Sequence, residues 1–167
     1  LLNISSNSSK KPDKHGHEVK SYGSSRISIM TPAPDGGLQQ QLGFDAFMKA
    51  YGWTSKTAGR NTQVFNGQHK FGIMCPSSKA TLVIDGYDAN RHEVADASKL
   101  KVVIRRTSDG KDLASWSFDH LASSWSNKHA AAVYVPYEAK KSTVGGRTRK
   151  MISFGPSVWF AAGTDVM

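Results

Sequence analysis

Glutamate is scarce in this chain, occurring only at Glu18, Glu93 and Glu138, and one of the three sits in the run PDKHGHEVKS. There Asp13 lies just upstream of Glu18, and Lys20 follows Glu18 at the second position. Side chains alternate along a strand, so Glu18 and Lys20 project to one face while Val19 packs on the other, its carbonyl still able to join a site. Gly16 permits a sharp bend that returns Asp13 toward Glu18. Two converging carboxylates suit Mg²⁺, which takes few protein oxygens and keeps its other positions for water and phosphate. A metal so held lowers the pKa of a bound water and neutralises charge on a phosphate. Lys20 is placed to orient that water or to stabilise developing negative charge. The spacing thus predicts Asp13, Glu18 and Lys20 as catalytic, with Asp13, Glu18 and the Val19 carbonyl as ligands of Mg²⁺. The competing reading is an exposed hairpin with an ordinary Glu/Lys pair, worth little energetically.

Charge points to the same class of substrate. Lys and Arg total 22 against 13 acids, a formal net charge of +9, and such a surplus favours a polyanionic partner through counterion release. The plainer reading is a basic protein that is merely soluble. Lys10, Lys11 and Lys14, just ahead of the acid-bearing strand, are candidate phosphate contacts. A second cluster, Lys140, Lys141, Arg147 and Arg149, flanks a Val144-Gly145-Gly146 turn behind Glu138. Arginine forks match the major-groove edge of guanine, so Arg147 or Arg149 is expected to read bases while Lys140 and Lys141 hold phosphates. Steering by a flexible loop is the alternative. Arg105-Arg106 and Lys128-His129 offer further contacts to DNA or to solvent. His15 and His17 flank Gly16, but no second pair at ligand spacing accompanies them, so they are read as groove-lining rather than as zinc ligands.

Cys75 is the only cysteine. No internal disulfide is possible, which fits a reducing cytoplasm, and its place at the end of an apolar run marks it as packing. No stretch approaches the roughly 20 apolar residues needed to cross a bilayer, and the opening LLNISSNSSKK lacks the apolar run of a signal peptide. The Leu-Leu start is expected to belong to a longer protein.

Several elements must position these residues. A strand is predicted at Glu18–Tyr22, a turn at Gly23-Ser24-Ser25 and a second strand at Arg26–Met30, before a Pro/Gly breaker at Thr31–Gly37. Leu42–Tyr51 has helical spacing and closes at Gly52. Strands are expected at Thr62–Phe65, Lys70–Met74, Ala80–Asp85 and Lys101–Arg106. Ser117 caps a helix over Ser117–Trp125 that places Phe118, Leu121 and Trp125 on one face. A buried strand follows at Ala130–Val135, and Arg149–Phe154 pairs with what precedes it across Thr143–Arg147. The four tryptophans are read as core. The expected fold class is α/β, with one mixed, largely antiparallel sheet flanked by helices.

PDKHGHEVKS followed by YGSSRISIMTPAP resembles the PD-(D/E)XK nuclease signature in the form found in the MvaI/BcnI restriction endonuclease family. There Pro-Asp precedes a glycine turn and a Glu/Asp-x-Lys strand, and a Ser-rich turn leads to a strand ending near Thr-x-x-Pro. The likeness is sharpest over Asn7–Pro34 and continues through AYGW, the strands of Gly72–Asp85 and SFDHLASSWSNKHAAAVYVPYEAKK. The resemblance implies a restriction-endonuclease-like core that hydrolyses double-stranded DNA with Mg²⁺ as a monomer. By it, Asp13 and Glu18 are metal ligands and Lys20 the catalytic lysine. Residues 1–11 are then a lead-in or the remnant of a longer N-terminal region, and 12–167 the nuclease domain. Members of that family also carry an acidic residue on a helix ahead of the motif, whereas no acid precedes Asp13 here. Two other roles remain open: a basic DNA-binding module without catalysis, and a mismatch-repair-type nicking endonuclease on the same core.

Overall fold

The computed structural model describes residues 16–23, 30–56, 61–129, 131–144, 147–155 and 158–162. In chain order these form β1 (Glu18–Tyr22), α1 (Leu38–Leu42), α2 (Phe44–Tyr51), β2 (Trp53–Thr54), β3 (Gln63–Val64), β4 (Met74–Cys75), β5 (Ala80–Asp85), β6 (Tyr87–Asp88) and β7 (Glu93–Val94). A single 3₁₀ turn at Ala97–Lys99 leads to β8 (Lys101–Arg106), β9 (Asp112–Ser117), α3 (Phe118–His129), β10 (Ala131–Val144), β11 (Arg147–Phe154) and β12 (Trp159–Ala162). This is the mixed, mostly antiparallel α/β class expected. The strands divide among four separately hydrogen-bonded sheets rather than one. The chain falls into two compact units, residues 32–121 and the flanking segments 1–31 with 122–167.

In the unit of residues 32–121, β4, β5, β8 and β9 pair antiparallel in that order. β5 and β8 match along their full length, from Ala80 opposite Arg106 to Asp85 opposite Lys101. Each is rich in β-branched residues, which suit a pleated, half-buried surface. Phe47, Ala80 and Leu113 form the buried centre, with Leu38, Met48, Tyr51, Phe65 and Ile104 packed against it. Phe47 joins Tyr51 at 5.2 Å and Phe65 at 5.0 Å between ring centroids, and its full burial stabilises the unit by about 2–3 kcal/mol.

The expected helix Leu42–Tyr51 is α2, which begins at Phe44 because Gly43 takes φ +77° and separates it from α1. Gly37, at φ +81°, admits no side chain: a Cβ there would stand 2.9 Å from the Ala114 Cα. That close approach seats α1 against β9. Ser117 does cap α3, its hydroxyl accepting the His120 N–H at 3.2 Å. Cys75 is buried at 4% exposure, as its apolar context predicts. No helix among the described residues is long and apolar enough to cross a membrane.

The other unit centres on β10, a 14-residue strand with three partners. Its first half pairs parallel with β1, Glu18 opposite Ala132 and Lys20 opposite Tyr134. On the other side it pairs antiparallel with β12, Tyr134 opposite Trp159. Its second half forms a long antiparallel ladder with β11, from Tyr137 opposite Phe154 to Val144 opposite Arg147. The strand expected at Arg26–Met30 lies outside the described residues except for Met30, which is in no strand.

Candidate active site

β1 sets the site geometry. Its five residues, EVKSY, fold as the predicted strand, and strand alternation places Glu18 and Lys20 on one face. Glu18 is 2% exposed, so a carboxylate is held almost wholly out of water. An ionised acid there requires compensation, which Lys20 supplies: its Nζ stands 2.8 Å from Glu18 Oε1, with the lysine side chain 19% exposed. The pair is therefore not the exposed surface couple of the plainer reading.

In-register partners on neighbouring strands share a face, so Ala132 lies beside Glu18, and Tyr134 beside Lys20, with Trp159 beyond Tyr134. Tyr134 is 8% exposed, and its hydroxyl has no hydrogen-bond partner among the described residues. Burial raises its pKa. Sequence reasoning did not single this residue out, because only the parallel β1–β10 register brings it beside Lys20.

His17 and Val19 alternate to the opposite face. The His17 ring meets Phe160 edge-on at 6.4 Å, which gives it an aromatic partner. Asp13, His15, Lys10, Lys11 and Lys14 lie outside the described residues. Among the described residues no group of three or more His, Cys, Asp or Glu side chains is arranged to hold a metal. The donors expected of this site, the Glu18 carboxylate and the Val19 carbonyl with Asp13 to complete them, are hard oxygens. That donor set fits Mg²⁺ or Ca²⁺ rather than a thiophilic metal.

The second basic cluster is split by the fold. Lys140 and Lys141 are consecutive in β10 and so face opposite sides of the β10–β11 ladder. Lys140 Nζ stands 3.4 Å from Glu138 Oε2, both side chains being largely exposed. Arg147 and Arg149 are strand positions opposite Val144 and Ser142.

Arg105 and Arg106 are not free for a ligand. Arg105 donates from Nε to Asp112 at 2.7 Å and from both Nη atoms to Asp85, at 3.1 and 2.7 Å. Its hydrogen bonds to Asp112 and Asp85 hold its pKa above the usual arginine value. Arg106 pairs with Asp109 and lies 5.1 Å over the Tyr51 ring. Of the tryptophans expected in the core, Trp125 is buried at 8% exposure, whereas Trp159 is 64% exposed on the four-residue strand β12.

Comparison with known proteins supplies independent information. Residues 1–148 match the model of the MvaI/BcnI restriction endonuclease family. No curated protein sequence matches the chain. Among solved structures, the fold is similar to one described as the restriction endonuclease MvaI in complex with its cognate DNA substrate. The TM-score is 0.62 and the sequence identity 18%, over 92% of this chain and 58% of that one. At such identity the likeness is one of fold, and this chain spans little more than half of that protein's length.

Proposed function

The chain belongs to the MvaI/BcnI restriction endonuclease family, and from that premise we propose that it is a Mg²⁺-dependent, type II site-specific endonuclease. Its substrate is double-stranded DNA, and its catalytic residues are Asp13, Glu18 and Lys20. The observation that carries this reading is the buried Glu18 carboxylate on the face of β1 that it shares with Lys20. A carboxylate at 2% exposure is costly unless a cation or hydrogen bonds compensate it, and sites that retain such groups are often functional.

Asp13, Glu18 and the Val19 carbonyl would hold the metal, whose contribution when bound is to acidify water and screen phosphate charge. Glu18, fixed by the β1–β10 pairing, orients the reacting centre against a rigid strand. Lys20, two residues along the same face, donates a hydrogen bond either to the attacking water or to a phosphate oxygen. In the hydrolysis water adds to phosphorus, the bond to the leaving sugar oxygen breaks, and charge builds on the phosphoryl oxygens where an ammonium is most useful. DNA is held in part by basic residues of this same unit, Lys10, Lys11, Lys14, Lys140, Arg147 and Arg149, and the protein acts as a monomer in the cytoplasm.

The test is incubation of the chain with plasmid DNA and Mg²⁺, with and without a chelator. Chelator-sensitive conversion of supercoiled to linear DNA is expected. Accumulation of nicked circles alone would point to the nicking role, and specific binding without cleavage to a module that has no chemistry.

A further inference from the structure

The buried hydroxyl of Tyr134 is the most conspicuous polar group that this mechanism leaves unused. It sits in register with Lys20 on the adjacent parallel strand, at 8% exposure, with no hydrogen-bond partner among the described residues. Buried polar atoms in native proteins are overwhelmingly satisfied, and one that is not calls for a reason. No packing need requires the oxygen, because phenylalanine would fill nearly the same volume.

Lys20 supplies the reason. Its ammonium now rests on Glu18 at 2.8 Å. A divalent cation drawn to the Glu18 carboxylate repels the ammonium, since like charges a few ångströms apart interact strongly in a half-buried site. That repulsion favours transfer of Lys20 to another acceptor. Of the side chains in register with β1 on this face, Ala132 and Pro136 carry no acceptor, and Trp159 on the far side of Tyr134 offers only a donor. Tyr22 is the other hydroxyl on this face, on β1 itself, and is half-buried. Tyr134 is in register with Lys20, and among the described residues its oxygen lone pairs are uncommitted.

We propose that Tyr134 is a positioning residue: its hydroxyl oxygen accepts a hydrogen bond from Lys20 when Glu18 turns to a metal ion, and so holds the ammonium beside the scissile phosphate. The inference rests on the nuclease reading given above. It assigns the hydroxyl two consequences, easier entry of the metal and a correctly placed lysine.

The experiment compares wild type with Tyr134→Phe in the full chain, using Mn²⁺ as a metal probe, DNA binding in Ca²⁺, and single-turnover cleavage in Mg²⁺. Loss of one hydrogen bond to a charged group predicts Mn²⁺ binding and cleavage each weakened by roughly tenfold. DNA affinity should stay within about twofold, because the hydroxyl is proposed to touch no phosphate. The metal-free melting temperature should be unchanged or higher, since the hydroxyl makes no hydrogen bond among the described residues. In a Lys20→Met background, Tyr134→Phe should have no further effect on Mn²⁺ affinity, as expected of a residue acting through Lys20. Mn²⁺ binding and cleavage at wild-type levels in Tyr134→Phe overturn the inference and leave the nuclease reading intact, as does a fall in metal-free melting temperature with proportionate loss of every function. A wild-type chain that binds Mn²⁺ but cuts nothing overturns the nuclease reading, and the metal arm still decides the role of Tyr134. A wild-type chain that binds no Mn²⁺ overturns both.

Discussion

The two compact units carry equal numbers of basic residues, eleven each, but nine of the 13 acids lie in residues 32–121 and only four in the rest of the chain. In the acid-rich unit several cations are paired with acids of the same unit. Arg105 is forked between Asp85 and Asp112, Lys101 lies 3.6 and 3.3 Å from the same two acids, Lys99 pairs with Asp96 at 2.9 Å and Arg91 with Glu93 at 3.0 Å. In the other unit, among the described residues, Glu18 and Glu138 each meet a lysine two residues along the same strand. A net charge of +9 therefore has a place as well as a size. Seven of the nine excess charges lie in the unit that carries Glu18 and Lys20, where a polyanion would have to bind for its phosphate to be cut. Arg105 and Arg106, read from the sequence as further contacts to DNA or to solvent, belong instead to the electrostatics of the β5–β8–β9 sheet.

This division is broken most decisively by substituting one acid from each unit. Glu18→Gln keeps the side-chain volume but removes the charge proposed to bind the metal and the ionic partner of Lys20. Cleavage is expected to fall on the order of a thousandfold, ~4 kcal/mol in barrier, while DNA binding survives. Asp13→Asn should behave alike. Glu93→Gln, exposed in the acid-rich unit and paired only with Arg91, should cleave at the wild-type rate. A time course on plasmid DNA checks all three, and wild-type cleavage by Glu18→Gln would remove the site from β1 altogether.

A smaller effect of opposite kind is expected at Arg105. Arg105→Met strands Asp85 and Asp112 beside only Lys101, and three side-chain hydrogen bonds are lost. Because the arginine is about one-third exposed, solvent recovers part of the loss. The destabilisation should be about 1–2 kcal/mol, with no change in the salt dependence of DNA binding. The pH dependence follows from the acids. Burial works to raise the Asp112 carboxyl, but hydrogen bonds from Arg105 and Lys101 outweigh it and hold the pKa below the ordinary value. A lowered carboxylate pKa contributes stability that is present above the unfolded value, near 4, and is lost as pH falls through the folded value. The melting temperature of wild type should fall steeply below about pH 4, and that of Arg105→Met less steeply. Parallel acid curves for the two would mean that the network carries no stability.

What the sequence disclosed follows how local each feature is. β1, β5 and β8 have the bounds expected because alternation or β-branched runs mark them within a few residues. β9, DLASWS, was not foreseen: Ser and Asp dilute its pattern, and it becomes a strand through its pairing with β8 and the approach of Gly36 to Ser115. α1, LQQQL, has no buried residue and no side-chain cap, so only its seat on β9 identifies it. The Glu18–Lys20 half of the site was legible because both residues sit on one strand. The neighbour of that pair was not, since a parallel partnership between residues 18–22 and 132–136 joins segments over a hundred positions apart. Tyr134 could be placed beside Lys20 only once that register was known.

The finest distinction concerns two adjacent lysines that looked equivalent in the sequence. Lys140 and Lys141 were both expected to hold phosphates, but consecutive positions in β10 face opposite sides. Alternation carries the side of Tyr134 to residues 136, 138 and 140, so Lys140 shares the face of Lys20 along the strand, whereas Lys141 alternates to the other. A duplex whose phosphate reaches Lys20 should therefore meet Lys140 and miss Lys141. Lys140→Ala is expected to lower the slope of log affinity against log salt by about 0.9, one phosphate contact, for all sequences alike. Lys141→Ala should change it by much less, and the double variant should match Lys140→Ala. Glu138 offers a check of sign. It lies 3.4 Å from Lys140 on the same face, so Glu138→Gln removes both a competing partner and a like charge to phosphate, and binding should tighten slightly at low salt. The readout is fluorescence anisotropy on one duplex at several salt concentrations. Equal slope changes for the two lysines would mean that the duplex lies along the edge or tip of this hairpin rather than across the face shared with the active-site pair.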